Sequence, residues 1–315
     1  MTLLRHAGFL LLFAPSMWGD AALRYHTDVQ ASAVIPAAAL DQALGGMRDM
    51  EIRIKGNKAY STVGNLISIA DLTSQGSILM DPAHRRFAEI SSAQYGDQIQ
   101  AALSTMPEQA RAMLASLKMN LESRTTDRSA TIQGIQTEER EFVLTVDMAM
   151  PGGPSAPAPF LKMVMQVWIP KPEETERVPA LQEFKRYRTS ASSAMNVAET
   201  IKQVFSSMPG MGDNIRTMVE DMTANSAVSL RTHCEVVMPL LALLSQQMPQ
   251  QAGQALPAGL DPSAPLVTLN QEVVELSADP VDGAIFDVPA GYQAVSLEEI
   301  LTGAVSGSTP PQFKQ

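Results

Sequence analysis

The sequence has little cysteine, few aromatic residues and no concentration of positive charge. Cys234 is the single cysteine among 315 residues, so no disulfide can form within the chain. Aromatic residues make up 5% of the chain and methionine occurs 19 times, so aliphatic and thioether side chains must fill most of the core. The formal net charge is −10, and no run of basic residues is longer than two. This pattern argues against nucleic acid or an anionic membrane surface as a partner.

Recognisable catalytic motifs are missing as well. The sequence contains no GxSxG, no phosphate-binding loop and no GxGxxG. Its four histidines are far apart and none has metal-ligand spacing, the set being His6, His26, His84 and His233. The sequence therefore predicts that the chain is not an enzyme and holds no metal or cofactor.

Three smaller groups of residues offer alternatives. Asp71, Asp81 and His84 would form an acid–base set if they met across the sheet, but acidic residues in turns usually cap backbone amides. Cys234 lies in an alternating segment and is expected to be buried, with His233 on the opposite side. A methionine group suggests a Cu(I) site, although two of its members share a helical face with Ile215 and Val219, which favours a core role; the group is Met208, Met211, Met218 and Met222.

The N-terminal residues resemble a secretory leader. Arg5 and His6 precede an apolar run at 8–14, and small residues follow at Gly19, Ala21 and Ala22. The run is too short to span a membrane, and no cysteine follows it that would carry a lipid anchor. We therefore predict a signal peptide over 1–22 and a periplasmic or secreted mature protein without a transmembrane segment. An uncleaved anchor is the alternative.

The segment 50–90 organises the rest of the chain. Apolar and polar residues alternate through it, and turn residues interrupt the alternation, as in Lys55-Gly56-Asn57 and Val63-Gly64-Asn65. This pattern is typical of an antiparallel meander of four or five short strands joined by tight turns. Such strands become stable only when another part of the chain covers one side of them.

Further strands and two helical regions complete the predicted domain. Strands are expected at 23–32, 121–127, 130–135, 138–150, 160–169, 227–238, 266–276 and 284–288. An amphipathic stripe predicts a helix from Ser91 or Ser92 to Leu117, and a helical insert is expected around 178–225. The fold class is therefore α+β, a single domain over 23–303 followed by a disordered tail at 304–315. About ten strands in one antiparallel sheet must curl, which predicts a half-barrel with helices on its concave face.

The order of several short motifs resembles a known family. The motifs are KGNK at 55–58, SILMDP at 77–82, IQGI at 132–135, VWIP at 167–170 and FDVPAGY at 286–292. This order resembles a family of exported bacterial proteins catalogued as a domain of unknown function, which is similar to lipoprotein-carrier half-barrels of the LolA/LolB type. The resemblance covers nearly the whole mature chain. It implies a half-barrel with a helical lid and a hydrophobic cavity, and it implies no reaction.

The leading hypothesis is a periplasmic binding or carrier protein for an apolar ligand, such as a lipid or an acyl chain. The methionine-rich helices and the scarcity of bulky aromatics motivate it. The alternative is a structural or interaction protein of the cell envelope, with an envelope protein as partner, a packed core and no ligand. The residues expected to line the cavity are Met106, Met113, Leu117, Trp168, Phe184, Met218 and Met222.

Overall fold

A single large sheet dominates the computed structural model, which describes residues 19–33, 35, 48–91, 108, 117–148, 158–195, 228–240, 242–243 and 261–300. Within these residues twelve strands occur: β1 (Asp20–Ala31), β2 (Asp49–Lys55), β3 (Lys58–Val63), β4 (Leu66–Asp71), β5 (Gly76–Asp81), β6 (Arg86–Ser91), β7 (Leu117–Ile132), β8 (Ile135–Met148), β9 (Leu161–Pro170), β10 (Arg231–Val237), β11 (Val267–Ser277) and β12 (Gln293–Ala294). Two helices, α1 (Pro172–Arg177) and α2 (Pro179–Met195), follow β9.

The strand order is β12-β6-β5-β4-β3-β2-β1-β11-β10-β9-β8-β7. Among the described strands, only β12 and β6 pair in parallel. The chain thus builds one half of the sheet from β1 to β6 and the other from β7 to β11, and the two halves join where β1 pairs with β11. The predicted large antiparallel sheet is confirmed.

The meander has the predicted tight turns. Five consecutive strands, β2 to β6, pair with their neighbours in sequence order. Gly56 and Gly64 have positive φ angles of 59° and 62° in the first two turns. A side chain at either position would adopt this backbone conformation at a cost, so glycine suits both turns.

The hairpin between β7 and β8 differs from the sequence prediction. The strand predicted at 121–127 and residues 130–132 of the next predicted strand belong to one strand, β7, whose pairing is irregular between Thr125 and Ser129. The chain reverses at Gln133 and Gly134, where φ is 51° and 73°. Two consecutive residues with positive φ are the signature of a type I′ hairpin turn. Residues 130–132 and Ile135 are in strands as predicted, but the predicted strand is wrong at Gln133-Gly134, which form the turn.

Helix α2 covers the middle of the sheet. The predicted helical face is confirmed for Leu181, Phe184 and Tyr187, which pack with a cluster from β1, β2 and β11. The buried strand residues of this cluster include Leu23, Tyr25, Ile54 and Val273. Because directly paired residues project to the same side of a sheet, these residues define one side, and α2 lies on it.

The other side of the meander is covered by the C-terminal part of the chain. Ile69 and Met80 pack with Val281 and Phe286 in a second cluster. The segment predicted as a strand at 284–288 is instead a short 3-10 helix, Gly283–Phe286, whose Asp282 caps Ala284 N at 3.0 Å. The prediction of a strand was therefore wrong. The apolar residues of this segment cover the sheet from a helical turn and do not pair with another strand.

Several predicted segments lie outside the described residues. These are the apolar run of the leader, most of the helix predicted between 91 and 117, the part of the helical insert after Met195, and the tail at 304–315. Strand β1 starts at Asp20, within the predicted 1–22 leader. The Oδ2 atom of Asp20 accepts hydrogen bonds from Val281 N at 2.7 Å and from Lys55 Nζ at 3.2 Å. Of the helices in the described residues, none has the length and apolar character needed to cross a membrane.

The central cluster predicts a large effect of truncating Phe184. Phe184 is 2% exposed, so Phe184→Ala should lower the free energy of unfolding by about 3–5 kcal/mol through lost burial and a residual cavity. Urea denaturation followed by circular dichroism measures the change. Val274→Ala is the matched control because Val274 is 45% exposed, and it should change stability by less than about 1 kcal/mol. Equal effects of the two substitutions would contradict this packing.

Candidate functional site

Strand register divides the side chains of β7 to β11 into two chemically different sides. One side, here called the apolar side, carries Leu121 and Leu144, which are directly paired, and continues through Met163 to Val236. The opposite side, here called the charged side, carries Arg124, Glu141, Gln166 and His233 in a row across the same four strands. The contrast follows from strict alternation along each strand.

The apolar side extends over five strands. Many of its side chains are half-buried rather than fully enclosed, among them Leu121, Leu144, Met163, Met165, Val236 and Leu269. Phe142 and Val167 of the same side form a smaller buried cluster with Ile169, against which Leu121 and Met165 pack. Leucine, methionine and valine side chains with remaining exposed surface form an adaptable apolar surface.

A row of more polar residues crosses the apolar side beside these side chains. Pairing places Thr125, Arg140, Val167, Thr232, Gln271 and Thr27 next to one another on β7, β8, β9, β10, β11 and β1. The amide of Gln271 donates to Thr27 Oγ1 at 3.2 Å, and Thr232 Oγ1 lies 2.9 Å from Ser229 Oγ. The polar groups on β1, β10 and β11 therefore satisfy one another or a near neighbour.

Arg140 is the exception in this row. Its Nε is buried and has no hydrogen-bond acceptor, and among the hydrogen bonds and ion pairs of the described residues its guanidinium has no partner. Glu138, two residues away on the same side, forms no ion pair with it. Sequence reasoning missed Arg140, but a signal was present: in the segment 140–146, Arg140 has the same alternation phase as Phe142, Leu144 and Val146. A positively charged residue at a position where the alternation predicts an apolar one is the signal that identifies Arg140.

The charged side holds an unusual buried carboxylate. Glu139 has no exposed surface, its Oε1 accepts a hydrogen bond from Arg128, and its Oε2 has no partner among the described residues. The nearby Glu141 pairs with Arg124 at 2.5 Å. Glu139 and Arg140 are adjacent on β8 and project to opposite sides of the sheet. The strand therefore presents a carboxylate oxygen without a donor on one side and a guanidinium nitrogen without an acceptor on the other.

The structure places the predicted cavity residues in different environments. Leu117 is half-buried on the apolar side, paired with Met148. Trp168 projects to the charged side, where it pairs with Arg231 and lies under that guanidinium at 5.7 Å from Cζ to the ring centroid. Phe184 is enclosed in the central cluster, and Trp168 packs against the edge of that cluster. The structure thus brings Trp168 and Phe184 to one cluster, which does not include Leu117.

The remaining predicted cavity residues, Met106, Met113, Met218 and Met222, lie outside the described residues, as do Met208 and Met211 of the alternative copper site. The sequence phase of Trp168 determines the side of the sheet to which its ring projects. In β9 it alternates with Lys162 and Gln166, whereas Met163, Met165 and Val167 have the other phase.

Cys234 and His233 follow the sequence prediction. Cys234 is buried on the apolar side between Met165 and Leu269, and burial raises the pKa of its thiol, with a smaller contribution from Glu235. His233 projects to the other side, where its Nδ1 lies 2.7 Å from Asn270 Oδ1. The thiol therefore has neither the exposure nor the base that a nucleophile requires.

The three polar residues considered for acid–base chemistry do not converge. Asp71 accepts a hydrogen bond from Thr73 N at 2.8 Å in one turn, and Asp81 accepts one from His84 N at 3.2 Å in another. These turns lie at opposite ends of the β4–β5 pair, about 17 Å apart along the strand. The interpretation of the acids as turn caps is confirmed.

Asp81 is nevertheless a strongly held carboxylate. It is 3% exposed, and its Oδ2 lies 2.7 Å from His84 Nδ1 and 2.8 Å from Arg86 Nη2. Burial raises the pKa of Asp81, but the hydrogen bonds from Arg86 and His84 outweigh burial and hold the pKa below its usual range. The group stabilises the turn between β5 and β6.

No group of three or more His, Cys, Asp or Glu side chains in the described part of the chain is arranged to hold a metal ion. No protein-family model matches the sequence, and no curated protein matches it. The candidate site therefore rests on its own geometry: an apolar side of the sheet with a polar row and one unpaired arginine.

The environment of Asp81 predicts a pH-dependent mutational effect. A carboxylate whose pKa is lowered on folding contributes stability above its unfolded pKa of about 4, and that stability is lost as pH falls through the folded value. Asp81→Asn should therefore destabilise the protein by about 1–3 kcal/mol at pH 7 and by progressively less below pH ~4. Urea denaturation at several pH values measures the difference from wild type. A cost that stays constant down to pH ~2 would contradict the proposed role of the charge.

Proposed function

We propose that this protein is a non-catalytic carrier that binds the acyl chain of a lipid on the apolar side of β7 to β11. The observation that carries the proposal is the row of half-buried aliphatic and thioether side chains that Leu121, Leu144, Met163 and Val236 form across four strands. A ligand that covers them gains roughly 25 cal/mol for each Å² of apolar surface removed from water.

The enclosed and the half-buried parts of the sheet differ in a way that supports carriage. A sheet that serves only as a packed core needs apolar residues that are fully enclosed, as Leu23 and Val273 are beneath α2. Several residues of the apolar side keep exposed surface instead, and methionine at 163 and 165 can repack around different chains. Acyl chains have the shape variability that such a surface tolerates.

The proposal extends to architecture and compartment. In it, the twelve strands curl into a half-barrel similar to those of LolA/LolB-type carriers, with the apolar side and the helices on the concave face. The leader-like N-terminus directs the chain to the periplasm or the exterior, where a lipid chain needs a protein to shield it from water. The proposed role includes no reaction and no cofactor.

Two neighbouring residues of β8 allow a matched test. Leu144 and Val143 are both half-buried, but Leu144 belongs to the apolar side and Val143 to the charged side. Leu144→Gln should weaken uptake of an uncharged fluorescent acyl probe by about tenfold, because an amide interrupts the apolar surface at a cost of about 1–2 kcal/mol. Val143→Gln should leave uptake unchanged. Fluorescence titration measures both.

Native mass spectrometry of protein isolated without detergent provides the first readout. A lipid mass that organic extraction removes supports the carrier function, and its identity gives the ligand class. A clean mass for the chain alone, together with no uptake of the acyl probe by the wild type, would refute carriage. That result would leave the alternative of an envelope interaction protein with a fully packed core.

A further inference from the structure

Arg140 combines a buried unsatisfied donor with an apolar environment. It is only partly buried as a residue, while its Nε is buried and has no acceptor. Its direct neighbours across the strands are Thr125 and Val167, and Phe142 follows it on the same side. None of these three can neutralise a guanidinium, and a cation in such a place favours an anionic partner.

The surrounding charges leave this cation uncompensated. Glu141 and Glu139 are adjacent in sequence but project to the opposite side, where they bind Arg124 and Arg128. Glu138 shares the side of Arg140, yet the described ion pairs do not include one between them. A ligand that carries a single negative charge and binds on the apolar side would therefore compensate the charge of Arg140.

We propose that Arg140 binds the carboxylate of a long-chain fatty acid whose hydrocarbon chain lies along the apolar side past Phe142 and Leu144. The proposal rests on the carrier function above and specifies its ligand. A guanidinium and a carboxylate are matched in geometry, because two parallel N–H donors can bond both oxygens. One arginine compensates one carboxylate.

The layout of the strand fits an amphiphile of this kind. From Arg140 to Val146 the strand extends about 20 Å, and the residues on the apolar side after Arg140 are Phe142, Leu144 and Val146. The polar row that contains Arg140 therefore borders an apolar surface on the length scale of an extended fatty acid. A head group at the polar row leaves the chain on the aliphatic residues.

The test compares two ligands that differ only in their head group. Myristate and myristyl alcohol carry the same chain, so displacement of a bound fluorescent acyl probe at pH 8 by each reports the contribution of the carboxylate. Wild-type protein should bind myristate about tenfold or more tightly than the alcohol, as expected for a charge-assisted pair. Arg140→Gln should remove this preference by weakening the binding of myristate far more than that of the alcohol.

Arg24→Gln is the matched control. Arg24 pairs with Glu275 at 3.1 Å, and both side chains are more than half exposed on the charged side. This variant undergoes the same chemical change and should keep the full preference for myristate. Arg140→Lys retains the charge without the planar fork and should show an intermediate preference. Circular dichroism confirms that each variant is folded, and if Arg140→Gln is not, the lysine variant and the wild-type ligand comparison decide.

The outcomes separate this inference from the carrier function. Equal affinity of wild type for acid and alcohol, or a preference that survives in folded Arg140→Gln, overturns the role of Arg140 but leaves carriage intact. Binding of neither ligand overturns both. Binding of phosphatidylglycerol in preference to myristate, with the same dependence on Arg140, overturns the carboxylate assignment and identifies a phosphate head group instead.

Discussion

Tyr25 of β1 faces Val273 of β11, and both side chains are buried in the cluster that contains Leu181 and Phe184 of α2. Side chains alternate along each strand, and paired residues share a side of the sheet. The pairing of Tyr25 with Val273 therefore determines the side to which the apolar residues of all the remaining strands project. A slip of one residue would expose these side chains at about 1.5–3 kcal/mol each. Helix α2 therefore holds the register of the two halves of the sheet.

With the register held, the two halves use their sides differently. In the meander the C-terminal segment covers one side with Val281 and Phe286, and α2 covers the other near Ile54. From β7 to β11 one side is charged and the other is aliphatic. In this second half, β8 carries Glu139 and Arg140 next to each other. Among the described residues, one carboxylate oxygen of Glu139 has no donor and the Nε of Arg140 has no acceptor.

Sequence reasoning predicted the features that depend on local pattern. Alternation and glycine-containing turns gave the meander, and helical spacing gave the face of α2 with Leu181 and Phe184. Features that depend on partners distant in sequence were harder: Phe286 was read as part of a strand although it covers another part of the sheet. Trp168 was predicted from its size to line a cavity, and the phase it shares with Gln166 places its ring under Arg231. Arg140 could be identified only from its phase in the alternation, because a charged residue is unusual only when it projects to the apolar side of a strand.

The junction of the two halves also has a kinetic consequence. The meander and the β7–β8–β9 set pair strands that are close in sequence, but Ala22 pairs with Ser277, so β1 completes its hydrogen bonding only after almost the whole chain is present. Closing a loop of this length has an entropic cost that precedes any reward from the contacts it allows. We therefore expect the joining of β1 to β11 to be a late and slow step in folding.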